Sequence, residues 1–161
     1  RLVTRLLNNG ASRVAIVGLE KINQGYAEHT RSQGWAAAYR EVTGEVPTHL
    51  KFEGDLSMEL ELFITFLQKE RPQVVFCTIA NRLPLVIAGI TQAKLEIGTD
   101  VDIICFDNVG GKYPVPVSYI KMPLAEMLTR AVRYIANPGM GTPPKEILEA
   151  QLVVDRCRYL F

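Results

Sequence analysis

The sequence predicts an α/β fold: a doubly wound, mostly parallel sheet covered by helices on both faces, in a Rossmann-like three-layer arrangement. Three observations lead to it. Short apolar runs rich in Val and Ile recur at residues 13–18, 74–77 and 101–106 without the strict alternation of a half-exposed sheet. That is how strands buried on both faces of a parallel sheet read. Stretches of helical periodicity separate these runs, and the connections are short, marked by Gly, Pro, Asn and Asp.

Taken in order, Leu2, Val3, Leu6 and Leu7 recur at helical spacing, and Asn9-Gly10 stops that helix. The strand at 13–18 ends in Gly18. A polar loop over 19–26 leads to a helix with Trp35, Ala38, Tyr39 and Val42 on one face, which ends near Thr43-Gly44. Residues 49–52 form a second strand, closed by Gly54-Asp55. Asp55 or Ser57 caps a helix whose Met58, Leu62, Phe63, Phe66 and Leu67 are expected to form the buried stripe, with Glu59 and Glu61 facing solvent. Arg71-Pro72 ends it. After the strand at 74–77 and the pair Ala80-Asn81, an apolar helix runs through Leu83, Leu85, Val86, Ile87 and Ile90. It carries so few charges that burial on more than one side is expected. The strand at 101–106 ends at Asp107-Asn108, a Gly- and Pro-containing loop follows, and a short strand lies near 117–120. Pro123 opens a helix with Leu124, Met127, Leu128, Ala131 and Ile135 on its apolar face. Asn137-Pro138-Gly139 ends it, and the tail 147–154 is the last strand.

With 161 residues and 48% hydrophobic content, the chain holds one domain or a piece of a two-domain protein. It begins at Arg1 rather than Met, so a fragment of something longer is expected. A net charge of +1 gives no electrostatic reason to expect nucleic acid on this part. No run is long enough to cross a bilayer, so no membrane partner is expected. Cys77, Cys105 and Cys157 are odd in number and widely spaced, which argues for reduced thiols and a cytoplasmic setting.

Recognisable catalytic chemistry is missing from the sequence. The stretch 139–145 contains two prolines, which remove amide donors a phosphate-cradling loop needs. Gly110-Gly111 lacks the spacing of a dinucleotide fingerprint, His29 and His49 have no metal-spaced partner, and there is no Gly-x-Ser-x-Gly elbow. The expectation is a protein that is not an enzyme and uses no cofactor or metal. Two residues stand out instead. Arg31 follows the first strand's loop, where ligands bind in open α/β sheets, and its guanidinium offers paired donors. The alternative is a surface arginine in a charged patch with Glu28. Asp107 ends a buried strand on the same edge, where a carboxylate accepts two hydroxyl hydrogen bonds. An Asx-turn fits its surroundings equally well.

The order of these features resembles the effector-binding core of the LacI/GalR family of bacterial transcriptional regulators, over nearly the whole chain. Arg31-Ser32-Gln33-Gly34-Trp35 fits that family's Arg-x-x-Gly-aromatic motif. Gly54-Asp55-Leu56-Ser57 fits the segment where an aromatic often stacks on the ligand, and Leu56 takes that place. Ile104-Cys105-Phe106-Asp107-Asn108 fits the Gly-Phe-Asp-Asp/Asn motif. The opening Ala-Ser-Arg-Val-Ala-Ile-Val-Gly and the closing Leu152-Val153-Val154-Asp155-Arg156-Cys157 are similar to the family's first strand and tail.

The resemblance implies a small-molecule effector, a sugar or sugar derivative, held by Arg31 and Asp107, with Asn81 and Leu56 as further contacts. It implies operator DNA as a partner through an N-terminal helix-turn-helix absent here, a homodimer with the helix 83–90 at its contacts, and a cytoplasmic protein. Residues 13–120 and 147–154 would make up most of one subdomain. The helices at 2–9 and 123–136 would belong to the other and lack part of their cover. A periplasmic sugar-binding protein of a transport system is the alternative, because it shares the fold and the cleft.

Overall fold

The computed structural model describes residues 2–19, 26–52, 56–107, 109, 111, 113–137 and 148–161. The chain alternates as its apolar runs predict. Helix α1 (Leu2–Asn8) is followed by β1 (Val14–Leu19), α2 (Tyr26–Thr43), β2 (Thr48–Phe52), α3 (Leu56–Glu70) and β3 (Val74–Cys77). A 3-10 turn (Ala80–Arg82) then leads to α4 (Leu83–Gln92), β4 (Asp102–Phe106), β5 (Ser118–Lys121), α5 (Leu124–Ala136) and β6 (Gln151–Val153). The sheet runs β2-β1-β3-β4-β5-β6, parallel throughout except for β6, which pairs antiparallel with β5. The winding reverses between β1 and β3, and the carboxyl edge at such a point is where open α/β sheets bind ligands.

Both faces of the central strands are covered, which is why their sequences run apolar without alternation. Val75, Cys77, Ile103 and Cys105 face Phe63 and Leu67 of α3 and Leu83, Val86 and Ile90 of α4. On the other side Val74, Phe76 and Ile104 pack with α1, α2 and the C-terminal tail. There Trp35 of α2 stacks on Phe76 with ring centroids 4.0 Å apart. Helix α4 buries Leu83, Val86, Gly89 and Ile90, while Leu85 and Ile87 are half-buried, as its apolar composition predicts.

Four sequence expectations need correction. In α3, Phe63 and Leu67 are buried, but Met58 is 69% and Leu62 51% exposed. The helix turns Glu59 inward instead, so this glutamate is not on a solvated face; Glu61 is. Burial of Glu59 is tolerated because Arg82 donates to its carboxylate at 2.7 Å. In α2, Trp35 and Tyr39 are buried as expected, but Val42 is 40% exposed. Finally, α1 does not lack cover: Val3 and Leu6 are buried against this sheet's own elements. The C-terminal tail closes over it, with Asn9 Nδ2 donating to the carbonyls of Tyr159 and Phe161 at 3.0 and 3.1 Å.

Helix α5 is the opposite case. None of its residues is buried, and Leu124, Met127, Leu128, Val132 and Ile135 expose an apolar stripe. The last strand is also shorter than the 147–154 read from sequence, since only Gln151–Val153 pair with β5.

A candidate ligand edge at the end of the parallel strands

The first turns of α2 carry Arg31 over the switch point. Its Nη1 donates to the carbonyl of Thr78, just past β3, at 2.9 Å. Its Nη2 lies 3.5 Å from Asp107 Oδ1, just past β4, and its guanidinium carbon sits 3.8 Å above the Phe106 ring. One arginine from the β1–α2 crossover therefore touches the ends of two neighbouring strands. Stacking on the ring and the carbonyl bond hold the planar fork in one orientation, so less freedom is lost when its remaining N–H groups meet a ligand. Its side chain is 20% exposed and that of Asp107 35%, so both present atoms to the edge.

Asp107 is held in an unusual backbone conformation, with φ at +86°, in the left-handed region. Aspartate tolerates that region better than most residues, though not without strain. The strand's last bond here is Asp107 N to the carbonyl of Ile120, 3.2 Å. The chain turns sharply at this point, with the carboxylate beside the guanidinium. Carboxylate acceptors and guanidinium donors side by side suit adjacent hydroxyls of one small molecule.

The corner beneath the arginine is tightly packed. Thr78 Oγ1 donates to the carbonyl of Val17 at 3.2 Å, tying the end of β3 to β1. A Cβ on Gly18 would stand 2.7 Å from that hydroxyl and 3.4 Å from Ser32 Oγ. Gly18→Ala should therefore displace Thr78 and cost about 1–3 kcal/mol, as overpacking of a full interior does. Thermal unfolding would show it as a fall of roughly 2–4 °C per kcal/mol; an unchanged midpoint would mean the corner has slack.

Of the four residues singled out in the sequence, the structure brings Arg31 and Asp107 together. Asn81 stands exposed in the 3-10 turn, three residues past Thr78, and makes no hydrogen bond with either among the described residues. Leu56 opens α3 after the same edge of β2, but its side chain, like that of Glu28, lies outside the described residues. Thr78 and Phe106 were not foreseen. One acts through a backbone carbonyl and the other through a ring face, and only the register of β3 beside β4 reveals them. Among the described residues, two cavities lie elsewhere, of about 190 Å³ around Ser12, Tyr39 and Glu70, and of about 330 Å³ around Tyr113, Tyr119 and Val153. Neither takes in Arg31 or Asp107. Among the described residues no three His, Cys, Asp or Glu side chains converge as metal ligands, and no helix is long and apolar enough to cross a membrane.

Comparison with known proteins agrees with this topology. The fold is similar to a lac repressor dimer bound to operator and the anti-inducer ONPF, with a TM-score of 0.78 at 16% identity over 97% of this chain. It is similar to a probable maltose operon transcriptional repressor from Staphylococcus aureus, with a TM-score of 0.78 at 13% identity over 98%. A LacI family transcriptional regulator from Enterococcus faecium with bound ribose gives 0.74 at 19% identity over 97%. The chain spans 48%, 57% and 60% of these three chains, about half their length. No curated protein sequence matches it. Residues 3–156 match the family model described as a periplasmic binding protein-like domain, which covers every strand of the sheet and both halves of the Arg31–Asp107 pair. The chain therefore belongs to the family of periplasmic binding protein-like domains.

Proposed function

We propose that this chain is the larger part of the effector-binding core of a LacI-type transcriptional regulator, and that its carboxyl edge takes a sugar or sugar derivative. The observation that carries the reading is the placement of Arg31 against Asp107 across the point where the sheet's winding reverses. Arg31 donates to ligand oxygens and Asp107 accepts from hydroxyls, with Asn81 and Leu56 proposed as further contacts. The ribose bound to one similar regulator and the operator bound to another are consistent with both halves of this function.

Most of residues 13–120 and 147–154 form one subdomain, with α1 packed on it, and α5 belongs to a second. The edge described here is then one wall of a cleft that the second subdomain closes. Met58 and Leu62 of α3, beside the half-buried Leu85 and Ile87 of α4, form the face through which two copies pair. A preceding DNA-binding domain reads the operator in the cytoplasm. Effector binding shifts the balance between DNA-competent and DNA-incompetent dimers, which requires unequal affinity for the two.

Trp35 is the chain's sole tryptophan and lies one helical turn past Arg31, so its fluorescence reports on this edge. Titration with D-ribose and a panel of other monosaccharides and sugar phosphates should change that signal for at least one compound. Arg31→Ala and Asp107→Ala should each weaken binding of that compound tenfold or more, since a hydrogen bond to a charged group contributes about 1.5–3 kcal/mol. A panel with no binder, or a binder indifferent to both substitutions, would overturn the assignment. Binding without any operator shift by the longer protein would favour a transport-type sugar-binding protein.

A further inference from the structure

The turn at residues 78–82 carries the carbonyl on which Arg31 is hung, and it is gripped from two sides. On one side are Arg31 and its partner Asp107. On the other, Arg82 Nη1 donates to Glu59 Oε2 at 2.7 Å, with side chains only 13% and 5% exposed. Within the turn, the Ile79 carbonyl accepts from Arg82 N at 3.2 Å and from Cys77 Sγ at 3.1 Å. Any movement of Arg82 is thus passed straight to the backbone that follows Thr78.

Stability does not require charges at these two positions. Burying a carboxylate and a guanidinium costs solvation that their attraction only roughly repays, and apolar residues of similar volume often do as well or better. What the pair does supply is a fixed distance and direction between two elements. Glu59 lies in the first turn of α3, just after the chain leaves β2 at the ligand edge. Arg82 ends the 3-10 turn that follows β3 at that same edge.

We propose that Glu59 and Arg82 are positioning residues for the ligand edge. By pinning the turn at 78–82 to α3 they fix the Thr78 carbonyl, and through it the guanidinium of Arg31. They touch no ligand themselves. The proposal rests on the sugar-binding reading only for what Arg31 holds; the positional effect is present without ligand.

The test uses the double variant Glu59→Met with Arg82→Met, which removes both charges together and keeps the volume, so that neither charge is stranded in the interior. Amide hydrogen exchange and thermal unfolding are measured on the ligand-free chain. The expected result is a midpoint close to that of the parent, with exchange over residues 78–82 faster by about tenfold and the rest of the sheet unchanged. In a second arm, any sugar that the parent binds should bind the double variant about tenfold more weakly, although Arg31 and Asp107 are intact. Unaltered exchange over 78–82 would overturn the proposal. So would a lowered midpoint with faster exchange throughout the sheet, because the pair would then be merely structural. A parent that binds no sugar defeats the ligand reading, while the exchange result still decides the positional one.

Discussion

Phe63→Ala should lower the stability of this domain by about 3–5 kcal/mol, the range for a large aromatic removed from a full core. Phe63 is fully buried between α3 and the sheet, and its ring stacks against Phe66 with centroids 6.2 Å apart. A domain of this kind has about 5–15 kcal/mol in all, so urea unfolding would show the loss plainly. The contact has a second half. A Cβ on Gly89 of α4 would stand 2.4 Å from Phe63 Cδ1, closer than any real Cβ contact. Gly89→Ala should therefore cost about 1–3 kcal/mol through overpacking. Alanine is nonetheless the better helix former by about 1 kcal/mol. With Phe63→Ala in place the clash is gone, and the same Gly89→Ala change should become neutral or stabilising. Equal costs in the two backgrounds would place the origin of the Gly89 effect somewhere else.

These two helices also show which kinds of information sequence carries. Strands buried on both faces announce themselves, because every position in Val74–Cys77 must be apolar whichever way it points. Helix α4 is equally plain. Helix α3 misleads, since Met58 and Leu62 stand four residues apart and mimic a core stripe, whereas Glu59 is admitted only by an arginine 23 positions later. The cover on α1 is hidden for the same reason, because the cluster that buries Val3 and Leu6 includes Cys157 and Leu160, some 150 residues away. At the candidate edge, the pairing of Arg31 with Asp107 was legible because side-chain chemistry and place within a motif single out both residues. Thr78 serves with a carbonyl that every residue has, so no residue type marks it. Phe106 reads as one more apolar strand residue until the arginine is seen above its ring.

High pH should weaken the fold, and Cys157 is the group to follow. Burial pushes its thiol up to about 11 from an ordinary 9.0, against a Tyr159 backbone hydrogen bond that lowers it, with the nearby Asp102 carboxylate raising it further. The neutral thiol is the form the folded chain keeps. Between pH 9 and 11 the unfolded chain has lost this proton and the folded chain has not, so the unfolded state gains. The stabilisation is complete below pH 9 and is lost progressively as pH rises through 11, a loss on the order of one to three kcal/mol. Cys105, raised chiefly by its hydrogen bond to the Cys77 thiol and then by burial, acts in the same direction, as does Tyr39, raised chiefly by burial. Urea midpoints measured at intervals from pH 8 to 11 should therefore fall steeply, and Cys157→Ala should remove about one proton's worth of that slope. Its tail neighbour Arg158 remains anchored to the buried Asp102 through N–H bonds of 3.1 and 3.4 Å, so the fold itself should survive the substitution. Parallel curves for parent and variant would show that the Cys157 thiol is not what the folded state protects.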